Sequence, residues 1–310
     1  MAVIHFAPLQ GYTDSVYREV HARIFGGVDT YYTPFVRVEK SGFRNKDLKD
    51  IARDGNKQAH VVPQLIASTP DEFRLIVRLF REKGYREVDI NLGCPFPMQV
   101  RAHRGSGLLP HQEEAESLLH TIEEFPDLSF SVKMRLGWER TEESFALLPL
   151  LNKLPLKHIT LHPRLGIQQY KGVVDWDGFS RFYEECRHPL YYNGDLLGLE
   201  DIRAVKERFP GLAGIMLGRG LLASPWLASE YMSGQALNVK EIRERLVTFH
   251  DLLMDEYATR LEGGEHQLLS KMKTVWDYLL PEADKKPRKK VLKSTSLTSY
   301  RSAVKDLLNP

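Results

Sequence analysis

From residue 3 to about residue 217 the chain repeats one pattern, a short apolar run followed by a longer stretch with helical periodicity. The runs are 3–7 (VIHFA), 31–38 (YYTPFVRV), 60–66 (HVVPQLI), 87–92 (EVDINL), 129–136 (SFSVKMRL), 157–162 (KHITLH), 189–193 (PLYYN) and 212–217 (LAGIML). Their length and alternation predict strands. Between them, 70–83 gives the clearest helix. Thr69 is its cap, Pro70 fits the first turn, and Phe73, Ile76, Val77 and Phe80 follow at spacings of three, four and seven before Gly84 ends it. Residues 111–124, 142–153, 176–187 and 199–209 read the same way. Strands alternating with helices predict a parallel sheet, and eight strands are the number that closes a TIM-type (β/α)8 barrel. A doubly wound open sheet is the alternative, weakened because no Gly-x-Gly-x-x-Gly follows the first strand.

Beyond Pro225 the strands stop. Residues 239–261, 265–280 and 296–308 keep helical periodicity, and 281–294 (PEADKKPRKKVLKS) reads as a polar, basic connector without an apolar period. The expected division is an α/β barrel over 1–230 and a small C-terminal helical domain over 231–310.

Composition adds exclusions. With 42% hydrophobic and 27% charged residues the chain is an ordinary globular one, not a disordered one. No apolar run approaches the length of a membrane span, and the N-terminus lacks the basic flank of a signal peptide. Two cysteines, Cys94 and Cys186, at no metal-ligand spacing argue against a disulfide framework or a zinc site. A cytoplasmic protein without metal is therefore expected, and a monomer is expected separately. The overall charge of +2 hides an asymmetry: residues 271–305 carry +7 and the remainder −5. A basic tail on an acidic body suggests a polyanionic partner.

In a βα barrel the chemistry lies at the C-terminal strand ends. Those ends read Pro8-Leu9-Gln10-Gly11, Arg37, Gln64, Asn91 to Cys94, Lys133 and Arg135, His162 and Arg164, Asn193-Gly194-Asp195, and Gly218-Arg219-Gly220. Polar groups stand where a bare core would want Val or Leu. Cys94 sits on a turn shaped by Gly93 and Pro95, either as a packed thiol or as a reactive group in the cleft. Asn-Gly-Asp and Gly-Arg-Gly follow the seventh and eighth strands, where barrels often bind phosphate. Arg219 would add a forked donor there. Lys133 would neutralise negative charge on a cofactor ring, and Gln64 offers both a donor and an acceptor to a heterocyclic amide edge. A flavin mononucleotide fits this set.

The chain resembles the flavin-dependent tRNA-dihydrouridine synthases. The matching pieces are Ala-Pro-Leu-Gln-Gly (7–11), Asn-Leu-Gly-Cys-Pro (91–95), Lys-Met-Arg-Leu-Gly-Trp (133–138) and His-Pro-Arg (162–164). With them, in the family's order, go Gln-Tyr-Lys-Gly-Val-Val-Asp-Trp (169–176), Asn-Gly-Asp-Leu (193–196) and Gly-Ile-Met-Leu-Gly-Arg-Gly (214–220). The resemblance implies FMN in the barrel mouth, lined by Pro8, Leu9, Gln10, Gln64, Lys133, Asn193, Gly194, Asp195, Gly218 and Arg219 and flanked by His162. It implies Asn91 and Arg164 facing the target uracil, Cys94 as proton donor, NADPH or NADH as reductant, and a helical domain that helps grip tRNA. Thr-Pro-Phe-Val-Arg-Val (33–38) resembles a segment of the bacterial branch, dihydrouridine synthase C, that modifies uridine 16 of the D-loop. Through it Arg37 would contact tRNA, as would the tail residues Lys273 and Lys290. Two positions depart from the family pattern. No Lys follows Cys94-Pro95 in the run Phe96-Pro97-Met98-Gln99-Val100, and Pro34 replaces a Glu.

Three readings compete. A uridine reductase acting on tRNA, or on ribosomal RNA, needs the basic tail, since it must take a base out of its stack. A small-molecule pyrimidine oxidoreductase of the dihydroorotate type would use a similar flavin site without it. A non-catalytic RNA-binding protein would need neither Cys94 nor the flavin set.

Overall fold

The computed structural model describes residues 2–40 and 42–308, so the outermost ends of the two expected domains, Met1 and Asn309–Pro310, lie outside the described residues. Nine strand segments form one sheet: β1 (Val3–Phe6), β2 (Thr30–Tyr32), β3 (Val61–Val62), β4 (Gln64–Leu65), β5 (Glu87–Leu92), β6 (Ser129–Gly137), β7 (Leu156–Leu165), β8 (Leu190–Tyr192) and β9 (Gly214–Leu217). Every pairing is parallel, in the order β3-β2-β1-β9-β8-β7-β6-β5-β4.

The two ends of that order are halves of a single extended run, 61–65, broken at Pro63. Proline has no N–H to give the ladder. Val61 and Val62 pair with β2, and Gln64 and Leu65 pair with β5. The Pro63 carbonyl still accepts from Asp89 N at 3.0 Å. The sheet thus closes on itself as an eight-position barrel of the TIM type. Proline also shortens the second strand: the expected run 31–38 is regular only to Tyr32, and beyond Pro34 the chain keeps one bridge, Val36 to Leu65.

Side chains alternate across the barrel wall with the period of two that strands impose. Outward go Ile4, Phe6, Val88, Ile90, Val132, Met134, Ile159, Leu161, Ile215 and Leu217, all in the main apolar core. Among them packs the helix Pro70–Glu82, which buries Phe73, Ile76, Val77 and Phe80; the Thr69 side chain caps it by accepting from Glu72 N. The alternate positions, which face inward, include His5, Tyr32, Gln64, Asp89, Asn91, Ser131, Lys133, His158, Thr160, His162 and Tyr191. Among the described residues only Ala7, Tyr32, Val62 and Met216, with Leu9 against them, make an inner apolar cluster. An interior this polar is the reverse of an inert barrel core, and it positions the site.

The C-terminal helices Val239–Arg260, Gly264–Val275 and Leu297–Leu308 follow the expected periodicity. They pack on the first barrel helix, Ser15–Ile24, and on the chain just outside it. Phe249 meets Tyr17 and Phe25 at ring distances of 5.4 and 5.2 Å, and the Tyr257 hydroxyl donates to Asp14 at 2.7 Å. The expected connector is corrected here, because Lys285–Lys293 is a helix with Val291 fully buried. Pro287 lies in its first turn, where a missing N–H costs nothing. One buried residue anchors it, too few to leave an apolar period in the sequence. Arg288 donates to the carbonyls of Trp276 at 2.6 Å and Asp277 at 3.1 Å, so it is a structural tie rather than a free surface charge. Among the described residues no helix is long and apolar enough to cross a membrane.

Candidate active site

A cavity of about 660 Å³ opens at the C-terminal ends of the strands. Its lining gathers Pro8, Leu9, Gln10, Arg37, Gln64, Asn91, Cys94, Lys133, His162, Asn193, Gly194, Asp195, Gly218 and Arg219. Three expected residues are elsewhere. Arg164 is 2% exposed and turned away, into Asp195 and the Gly172 carbonyl. Lys273 lies in the helix Gly264–Val275, and Lys290 lies exposed in the helix Lys285–Lys293, 3.7 Å from Asp306.

A directed chain of hydrogen bonds runs up the wall to Cys94. Ser131 Oγ donates to Asp89 Oδ1 at 2.6 Å, and Gln64 Nε2 donates to Asp89 Oδ2 at 2.7 Å. Asn91 Nδ2 donates to Gln64 Oε1 at 2.7 Å. Asn91 Oδ1 then accepts the backbone N–H of Gly93 at 3.0 Å and of Cys94 at 2.9 Å. Because Asp89 accepts from both sides, it fixes which way both amides face. Burial raises the Asp89 carboxyl to about 6, against the pull of Gln64, Ser131 and Lys133. Asn91, expected to face uracil, already spends both ends of its amide holding the cysteine turn.

Behind that turn the Cys94 carbonyl accepts from Ser106 N at 3.1 Å and Ser106 Oγ at 2.9 Å. Gly105 sits there with φ +62°, and a Cβ on it would come within 2.9 Å of Cys94 Cβ. Only glycine lets the loop support the thiol so closely. Burial raises the Cys94 thiol above its ordinary value, opposed by the Phe96 N–H and by Arg135, Lys133 and Arg37. It is a protonated thiol at neutral pH.

Two cations of the cavity lining, Lys133 and Arg135, stand on one face of β6. Lys133 has its pKa lowered to about 8 by burial and by Arg135. Arg135 gives Nε to the Gly93 carbonyl at 3.0 Å and Nη1 to the Leu165 carbonyl at 2.9 Å, fixing it beside the thiol. His162 is held neutral by burial and the surrounding cations. Its Nε2 lies 3.4 Å from Arg164 Nη1, which can only donate, so the proton is on Nδ1.

At the opposite side of the mouth, Asn193 Nδ2 donates to the Met216 carbonyl at 2.8 Å, tying β8 to β9. Asp195 takes Arg164 on one flank and Arg219 Nη2 at 2.9 Å on the other. That leaves one positive charge in excess where the two glycine turns meet. Gly220 is pressed against the Leu196 backbone, a contact that a side chain would block.

A sequence model of the dihydrouridine synthase family matches residues 5–299. The chain belongs to the dihydrouridine synthase family. Relatives agree: a tRNA-dihydrouridine(16) synthase of Pseudomonas syringae pv. tomato is 31% identical over 75% of each chain. A probable tRNA-dihydrouridine synthase of Rickettsia conorii is 29% identical over 82% of this chain and 79% of its own. Among solved structures, morphinone reductase in complex with tetrahydroNAD superposes with a TM-score of 0.55 at 11% identity, over 76% of this chain and 88% of its own. The old yellow enzyme from Trypanosoma cruzi gives 0.52 at 11%, over 79% and 93%. These likenesses support the barrel fold.

In this dihydrouridine synthase family member the cavity also includes Arg135, Tyr170, Gln99 and Tyr278, none of them among the expected cofactor or substrate contacts. Arg135 was already among the strand-end residues, because it follows Lys133 by two and so shares its face of β6, but no cofactor or substrate contact was assigned to it. Tyr278 left no signal. It comes from the turn that follows the helix Gly264–Val275, held by the Tyr12 ring at 5.0 Å and by the Tyr12 hydroxyl donating to Asp277 at 3.1 Å. Outside the cavity, His103, His111 and Glu114 come together as metal-ligating types. The two imidazoles stack at 3.6 Å with planes 12° apart, so their in-plane lone pairs do not converge on one ion.

Proposed function

We propose that the protein is an FMN-dependent tRNA-dihydrouridine synthase, which reduces the C5=C6 bond of a D-loop uridine with NADPH or NADH and uses Cys94 as proton donor. The observation that carries the reading is a protonated thiol sharing one cavity with a half-buried lysine and two glycine turns, in a chain of this family. The residues fit FMN. Lys133 is a half-buried ammonium without a hydrogen-bond partner among the described residues, and it would meet the negative edge of a flavin ring. Asn193, Gly194, Asp195, Gly218 and Arg219 would hold the phosphate end, with Arg219 as the charged donor. Pro8, Leu9 and Gln10 would line one side of the ring, and Gln64 and His162 would border it.

When bound, reduced FMN supplies the hydride to C6 of the uracil. Cys94 gives its proton to C5, so that H⁻ and H⁺ add across one double bond. Arg135 orients the turn through Gly93 and, beside the sulfur, stabilises the thiolate left behind. The expected reductant is NADPH or NADH, and solvent would return the proton to Cys94. Arg37 and the basic helices of a 231–310 domain, Lys273 and Lys290 included, would hold the RNA backbone. Position 16 is the proposed target, on the strength of relatives named for that position at 31% and 28% identity.

The test is direct. The purified protein should release FMN on denaturation and, with NADPH, form dihydrouridine in an unmodified tRNA transcript at one D-loop position. Absence of the product with a fully reducible flavin would reject the reading.

A further inference from the structure

The segment after the catalytic thiol presents two large apolar side chains at the cavity rim, as Tyr170 and Leu197 do elsewhere on it. Phe96 and Met98 line the cavity and are nevertheless 57% and 54% exposed. Large apolar side chains held open to solvent at the rim of a site mark a surface meant to be covered. They are not loose. Pro95 and Pro97 flank Phe96, and the Phe96 carbonyl accepts from Gln99 N at 2.8 Å and Val100 N at 3.1 Å. One turn on, Gln99 lines the same cavity at 1% exposure, and among the described residues its Oε1 has no partner. A buried amide oxygen without a donor costs stability, which a bound ligand would restore. Arg37, Arg44 and Lys46 line the same mouth; Glu39 pairs Arg37 and Asp47 pairs Arg44, so the apolar faces stand beside a net charge of +1. Exposed aromatic surface next to cations is the pattern that receives single-stranded nucleic acid.

We propose that Phe96–Gln99 is a nucleotide subsite beside the reduced uridine. The neighbouring base stacks on Phe96 and Met98, and the Gln99 amide hydrogen-bonds to the nucleotide. The proposal rests on the RNA substrate proposed above and adds a contact that reads stacking rather than backbone charge. Asn91 is committed to the cysteine turn and Arg164 to Asp195, so this segment supplies polar and apolar contacts that neither can.

The experiment uses the flavin-loaded full chain, an unmodified tRNA transcript and two salt concentrations. Phe96→Ala should raise KM for the transcript about 5- to 100-fold, the range for losing one base–aromatic stack. Its log–log salt slope, FMN content and NADPH-driven flavin reduction without RNA should match wild type. Phe96→Trp should restore the KM and Phe96→Leu should not. Gln99→Met should weaken the transcript at least about 5-fold while Tm stays level or rises, since an unpartnered buried oxygen is removed. Met98→Ala gives an independent arm if Phe96→Ala folds poorly. Wild-type KM in Phe96→Ala and Gln99→Met, or rescue by Leu as good as by Trp, would overturn the subsite. A KM change for NADPH in place of RNA would make the segment a nicotinamide cover and overturn it too. A wild-type protein that makes no dihydrouridine overturns the function itself, which separates the two failures.

Discussion

At the N-terminal end of the barrel interior, His5, Tyr32, His158 and Tyr191 close on one another. At the C-terminal end, Lys133, Arg135, His162 and Cys94 surround a cavity of about 660 Å³. In the lower group the Tyr32 hydroxyl lies 3.1 Å from both His5 Nδ1 and His158 Nε2, and the His5 ring stacks on Tyr191 at 4.2 Å. Burial holds both histidines neutral, down to about 2 for His5 and about 4 for His158. The upper group instead keeps charge, with a lysine at about 8 and an arginine at about 10. Residue types of equal polarity therefore do different work. Where the donors and acceptors pair internally, the result is a plug. Where cations lack a counter-ion, the interior is prepared for an anionic ligand.

The upper end should be sensitive in rate. Cys94→Ala is expected to keep its fold and flavin yet lose about 10²–10⁴ in dihydrouridine formation, the usual worth of a general acid. Cys186, half-buried at the end of the helix Trp176–Glu185, is the control, and Cys186→Ala should leave turnover unchanged. Single-turnover oxidation of the reduced flavin by tRNA measures both. Equal rates in the two variants would break the contrast, leaving Cys94 as a packed thiol.

Lys133→Met is the next largest expected effect, a weakening of FMN by at least about tenfold, read from flavin retained on dialysis. The sign with pH follows from its value. Free Lys133 loses its proton above about pH 8, so FMN binding must then take one up, and affinity should fall by up to about tenfold per pH unit. The variant should lose that dependence. A wild-type affinity flat to pH 10 would remove the lysine from the flavin site.

Much of this division was legible in the sequence, because period two survives in short strands. Asp89, Asn91, Lys133, Arg135, His158 and His162 alternate with apolar residues, and strand-end logic picks the upper ones. What was not legible needed the third dimension. Pro63 splits one run between two partners, a matter of hydrogen-bond directions rather than hydrophobicity. The helix Lys285–Lys293 buries one residue and so shows no period. Arg164 stands on the right strand, but Asp195 draws it out of the cavity. Gln99 enters from the single helical turn Pro97–Val100 and Tyr278 from the turn after the helix Gly264–Val275, and no local pattern ties either to the barrel mouth.

The lower end should be sensitive in stability. Tyr32→Phe removes the hydroxyl shared by two buried imidazoles and is expected to cost about 1–3 kcal/mol in urea unfolding, the penalty for orphaned buried groups. Flavin content and the kinetics of reduction at 25 °C should be unaltered. A variant as stable as wild type but poor in FMN would mean that the plug reaches the cavity and that the two ends are one network.

The smallest effect is silent at neutral pH. His158 is kept neutral to about 4, first by burial and then by the Lys157 charge, with Glu87 opposing. In the unfolded chain a histidine takes its proton near 6.5. Between those values the unfolded state binds more protons, so stability falls as pH falls from about 6.5 to about 4. One such group contributes a slope of at most about 1.4 kcal/mol per pH unit. His158→Gln, whose amide can still meet the Tyr32 hydroxyl, should match wild type at pH 7 and lose less stability on acidification. The urea midpoint at pH 7 and pH 5 measures the difference. His5, buried against the same tyrosine, would keep its own share of the slope, so the change should be that of one proton. A parallel loss in both proteins would mean that His158 takes its proton in the fold as readily as in the unfolded chain, and that the lower end admits charge as the upper one does.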